Sequence, residues 1–260
     1  MEPLFFGVAG RTLFGIYHPP KGTPRGDGVV ICPPLFAEYL RAHGSLRRLA
    51  MRLAEGGRHV FRFDYFGTGD SSGEFDVTTP DDWRADIGAA VKELKAISGI
   101  RRVQLVGVRL GATLAARVAL ETPSVDRVVL WDPIMAGAAY VQQLRETHQN
   151  LLRAHGAALD LEKQRLDSEN ELVGFRVSPR MISAIEALTL PTLTDLLARS
   201  GMAAAVVLSE EDFGYGALIE EARQRNVPVD RVKFHCNWTT HTEAVLYSHD
   251  IESHLAGKLQ

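Results

Sequence analysis

The stretch Val103-Gln104-Leu105-Val106-Gly107-Val108-Arg109-Leu110-Gly111 constrains this chain more than any other. A short apolar run ends in Gly-x-Arg-x-Gly, and an Ala-rich helical segment opens at once with Ala112-Thr113-Leu114-Ala115-Ala116. Two glycines let a buried strand turn sharply into a helix and let the two backbones approach, because neither carries a Cβ. The residue between them stands on a strained turn. Here it is Arg109, whose guanidinium stays protonated at any relevant pH and cannot attack a carbonyl.

A joint of this kind needs a parallel sheet, and the chain supplies one. Leu4-Phe5-Phe6 and Leu13-Phe14-Gly15-Ile16-Tyr17 flank Ala9-Gly10-Arg11 and predict a hairpin over 4–18. Gly28 to Cys32 reads as a strand buried on both faces, stopped by Pro33-Pro34. Ser45 is the expected N-cap of a helix with the stripe Leu46, Leu49, Ala50 and Leu53, closed by Gly56-Gly57. His59 to Asp64 is a strand running into Tyr65 to Gly73. Thr79-Pro80 opens another helix, with Pro80 preset for its first turn. Arg127 to Trp131 is a further strand, ending at Asp132-Pro133.

Strands alternating with helices imply right-handed crossovers and a mostly parallel sheet covered on both faces, an α/β fold. From about 135 to 200 the rhythm breaks into a helical, charged, strandless segment that reads as a lid inserted above the sheet. Ala203 to Leu208 resumes the pattern. A helix near Ala217–Arg225, a strand at Arg231–His235 and a last helix from about Thr242 follow. The expectation is one domain, 1–260, with a lid at about 135–200.

A chain of 260 residues suits one such domain with a modest insertion. Its formal charge of −3, without a basic tract or zinc-ligand spacing, argues against nucleic-acid and membrane-surface roles. Two cysteines far apart, Cys32 and Cys236, argue against a disulfide framework. The first residues lack the basic and long apolar regions of a secretory signal. No apolar run reaches the roughly 18 residues of a spanning helix. The chain therefore reads as cytoplasmic, with no membrane span and no resident cofactor.

At this point the whole chain resembles an α/β-hydrolase of the serine-aminopeptidase-like kind. The residues that carry the resemblance are the Gly-x-Arg-x-Gly elbow, Asp64…Gly67-Thr68-Gly69-Asp70-Ser71 after the fourth strand, and the lid after the sixth. Cys32-Pro33-Pro34 and Trp131-Asp132-Pro133 further resemble a bacterial group of hydrolases associated with exosortase systems or biosynthetic clusters. The resemblance implies a catalytic acid after the seventh strand at Asp212, with Glu211 and Asp132 as rivals. It implies a base at His241, with His235 and His249 poorer matches. An oxyanion hole would use the N–H of Leu110 and one from Leu35 or Phe36, since Pro33 and Pro34 have none. Ser71 is expected to satisfy its own turn, and Cys32 to pack.

The family's nucleophile would stand where Arg109 is, so three readings remain open. In a pseudo-hydrolase or binding protein, Arg109 grips a small carboxylate, acyl or phosphate ligand, an acyl-carrier phosphopantetheine included, at a helix N-terminus. In a non-covalent enzyme, His241 and Asp212 move protons while Arg109 stabilises an oxyanion or carboxylate. In the third, Arg109 points away or pairs with Asp132 or Asp212 and closes the site, because a guanidinium that is buried needs an anion. A homodimer is compatible with all three.

Overall fold

The computed structural model describes residues 1–155, 170–211, 213–238, 246 and 248–259. A hairpin of β1 (Glu2–Val8) and β2 (Arg11–His18) precedes β3 (Asp27–Cys32), helix α1 (Phe36–Glu55) and β4 (His59–Phe63). Then come α2 (Pro80–Ser98), β5 (Arg102–Val108), α3 (Leu110–Glu121), β6 (Val125–Trp131) and α4 (Gly137–His155). A small hairpin, β7 (Glu171–Leu172) with β8 (Phe175–Arg176), leads to helices Pro179–Glu186 and Leu193–Leu197. Next are β9 (Ala203–Leu208), helix Gly216–Gln224, β10 (Val229–Arg231) and helix His249–Gly257.

The central sheet runs β1-β2-β4-β3-β5-β6-β9-β10. The β1–β2 and β2–β4 ladders are antiparallel, and every other ladder is parallel. Side chains on a strand alternate between faces, so strands sealed on both sides are apolar at consecutive positions. Val29-Val30-Ile31 and Val128-Val129-Leu130 show this. One face packs α2 and α3 through Trp83, Ile87, Leu114 and Ala115. The other packs α1 and the last helix through Leu46, Leu49, Ile251 and Leu255. Parallel strands place their C-terminal ends at one rim, and the loops that follow β3, β5, β6 and β9 meet there.

The α2 start follows its sequence signal. Thr79 and Asp82 form a reciprocal capping box, and Gly99 closes the helix in the left-handed conformation at φ 73°. Helix α1 departs from its signal. It starts at Phe36 and not at Ser45, whose buried hydroxyl instead donates to the Leu246 carbonyl at 2.7 Å. The two turns before Ser45 carry Glu38 and Arg41, whose residue types give no local sign of burial. Both are buried, and their partners lie on distant segments. The expected strandless segment contains the β7–β8 hairpin, too short to announce itself. The last strand ends at Arg231, so His235 lies beyond it. The expected helix start at Thr242 falls outside the described residues.

Candidate functional site

The elbow forms because the backbones leave no room for side chains. A Cβ on Gly107 would lie 2.4 Å from the Ala112 Cα, and one on Gly111 would lie 2.2 Å from the Pro33 carbonyl oxygen. Between them Arg109 adopts φ 53° and ψ −122°, a conformation that an L-residue holds only when its surroundings impose it. Its N–H donates to the Trp131 carbonyl at 3.0 Å, tying the turn to β6.

Arg109 is 0% exposed. Its Nε donates to Glu38 Oε1 at 2.9 Å, and the Tyr140 hydroxyl donates to Glu38 Oε2 at 3.0 Å. The other guanidinium nitrogens make longer contacts of 3.4 Å with the Asp132 carbonyl and with Gln143 Oε1. The Phe213 ring lies 4.2 Å from the guanidinium carbon, close enough for a cation–π contact, with the Tyr140 and Trp238 rings farther out. Burial works against the charged guanidinium, but Glu38, with the hydroxyls of Tyr215 and Tyr140, outweighs it and raises its pKa. Burial raises Glu38 too, opposed by Arg109 and Tyr140. The pair is ionic, since a sealed guanidinium must have an anion beside it.

The partner of Arg109 is thus Glu38, from the first turn of α1, and not the carboxylate of Asp132. That carboxylate accepts from the Ser209 N–H at 2.8 Å, the Ser209 hydroxyl at 2.6 Å and the Trp238 indole at 2.8 Å. Burial raises its pKa, and these three bonds work against the rise. The Ser209 hydroxyl also touches Glu211 Oε2, whose other oxygen accepts from the Asn237 N–H. Asp132, Glu211 and Cys236 place three donor atoms within 4.8 Å of one another. Their carboxylate oxygens accept hydrogen bonds, and burial pushes the Cys236 thiol up. This cluster braces the ends of β6 and β9.

Leu110 is sealed at the start of α3. Leu35 caps α1, and Phe36 follows it at φ 55°, both buried. Ser71 behaves as expected: its hydroxyl donates to the Asp64 carbonyl at 2.6 Å and accepts from the Phe14 N–H at 2.8 Å. Cys32 is sealed, and burial alone pushes its thiol up. His235 is exposed beside Glu210 at 3.1 Å, and His249 opens the last helix. Asp212 and His241 lie outside the described residues. Sequence reasoning missed Glu38, Gln143, Ser209 and Trp238. The one available signal was an acidic residue in an otherwise apolar run after Pro33-Pro34.

An eight-stranded sheet in this order, with a strained strand-to-helix elbow at the end of β5, defines an α/β-hydrolase fold. Residues 35–199 match the family of serine aminopeptidases, S33, and the chain belongs to that family. Solved structures agree on the fold. A hypothetical protein from Pseudomonas aeruginosa is 15% identical with a TM-score of 0.67, over 98% of this chain and 91% of that one. Est1E from Butyrivibrio proteoclasticus is 14% identical with a TM-score of 0.65, over 100% and 98%. An alpha-beta serine hydrolase homologue from Coxiella burnetii is 14% identical with a TM-score of 0.57, over 100% and 97%. No curated protein matches in sequence. Among the described residues no helix is long and apolar enough to cross a membrane.

Proposed function

We propose that this protein is a pseudo-hydrolase, a member of a hydrolase family that does not hydrolyse through its elbow. The observation that carries this reading is the buried Arg109–Glu38 pair, which fills the nucleophile position with an ion pair complete within the chain. A guanidinium has no lone pair to give a carbonyl carbon. Tyr140 and Gln143, from the insertion between β6 and β9, close over the pair and give that insertion the part of a fixed lid. Because Glu38 already neutralises Arg109, an external carboxylate or phosphate at this position would bring a second negative charge into a sealed site. That favours closure over ligand capture at Arg109. The ligand-binding side of the reading then needs another cavity.

The test is direct. Hydrolysis of p-nitrophenyl acetate and butyrate should stay at the buffer background, and a fluorophosphonate probe should leave the chain unlabelled. Turnover, or labelling at Ser71 or any other residue, would sink the reading.

A further inference from the structure

A second arginine lies in a very different setting. Arg62, on β4, is 8% exposed, and its Nε donates to His18 Nε2 at 3.3 Å. Among the described residues no carboxylate reaches it within ion-pair distance. Asp64, whose charge acts on it, is already engaged: its oxygens accept from the Tyr39 hydroxyl at 2.5 Å and from the Asp70 N–H at 3.1 Å. Arg62 also lines an open cavity of about 440 Å³ bounded by β2, β3, β4, α1 and the turn at Gly69-Asp70. Phe14, Ile16, Ile31, Leu46 and Phe63 give that cavity apolar walls. Its volume falls within the range of small-molecule sites, roughly 300–1,000 Å³. Asp64 attracts Arg62 only at longer range, and a buried guanidinium without an ion-pair partner is costly, a cost that a ligand anion relieves.

We propose that this cavity binds a small organic carboxylate with an apolar body, its carboxylate docked on the free edge of the Arg62 guanidinium. A planar carboxylate matches two parallel N–H donors. The other charged groups around the site favour a monoanion. From α1 the cavity is faced by Tyr39 and the exposed His43, with the exposed Arg47 a turn further on acting on His43; from the turn it is faced by Asp64 and Asp70, and from β2 His18 stands behind Arg62. Two carboxylates at one rim repel a dianion more than a singly charged head. His43 carries a second effect. Burial and the arginines Arg62 and Arg47 lower its pKa, with Asp64 opposing, so a bound anion should move its titration upward. The proposal does not involve Arg109 and stands whether or not the elbow is inert.

Calorimetry on the full chain with octanoate, octan-1-ol and inorganic phosphate tests it. Octanoate should bind; Arg62→Gln should weaken it roughly 10- to 100-fold, the loss expected for a hydrogen bond to a charged group. Leu40→Trp, which narrows the cavity from α1 at an exposed position, should weaken octanoate comparably and decides the matter if Arg62→Gln does not fold. Octan-1-ol and phosphate should bind far more weakly than octanoate, and the His43 ring resonances should titrate at higher pH when octanoate is bound. Equal octanoate affinity in wild type and either folded variant would overturn the proposal. So would phosphate binding as tightly as octanoate, or a His43 titration indifferent to the ligand.

Discussion

At the scale of the residue, Arg109 and Glu38 form a unit that tolerates loss of both members better than loss of one. Removing one partner of a buried ion pair strands the other, and the expected cost is about 3–5 kcal/mol. Arg109→Ser and Glu38→Gln should each lower the unfolding free energy by that order, read from the fall in the urea midpoint. The double change Arg109→Met with Glu38→Leu should restore most of the stability, because no charge is then left in a site that is 0% exposed at Arg109. A double variant less stable than either single one would show that the pair is worth more than its replacement by apolar packing. The Ser side chain at 109 is not expected to restore turnover, since an orphaned Glu38 would stand beside it.

At the scale of the element, the elbow depends on two glycines more than on the residue it presents. Gly111→Ala would set a Cβ against backbone carbonyls of Cys32 and Pro33, which cannot rotate away. Separating β3 from α3 to make room should destabilise the chain by more than the ~1–3 kcal/mol of an ordinary overpacked site, and soluble yield with thermal unfolding would show it. By contrast, Gly88→Ala within α2 meets nothing within 4 Å and should be neutral or stabilising, by up to about 1 kcal/mol of helix propensity. If both substitutions behaved alike, close backbone approach would not be what the elbow glycines supply.

At the scale of the whole molecule, His18 couples stability to pH. Burial first, then Arg62, the N-terminal ammonium and Arg47, lower its pKa from 6.5 to about 4. In the neutral form it accepts the Arg62 hydrogen bond; protonated, it would set two cations together. As pH falls, the unfolded chain takes up this proton near 6.5 and the folded chain only near 4. The contribution is therefore complete above about 6.5 and lost progressively down to about 4, on the order of 3 kcal/mol in all. Other groups titrate in the same window, so the check is a difference. Urea unfolding of wild type and His18→Gln at pH 7.5 and 4.5 should show a smaller drop in the variant. Equal drops would remove His18 from the account.

The strand–helix alternation, the elbow and the Thr79 cap were legible in the sequence because each rests on local physics: apolar runs, glycines that permit close approach, and a capping side chain three residues from its partner. The same local rules gave Arg109 its place on the turn and deprived it of nucleophilic chemistry. They did not give its partner. Glu38 lies 71 positions away in sequence and meets Arg109 because β3 and β5 are paired in parallel and the segments that follow them leave at the same rim. The same holds for Asp132, whose carboxylate is taken by Ser209 at the end of β9 and by Trp238 in the segment after β10. Local patterning decides which elements form. Which charges meet is decided only when the sheet brings its loops together, because an ion pair has no period along the chain.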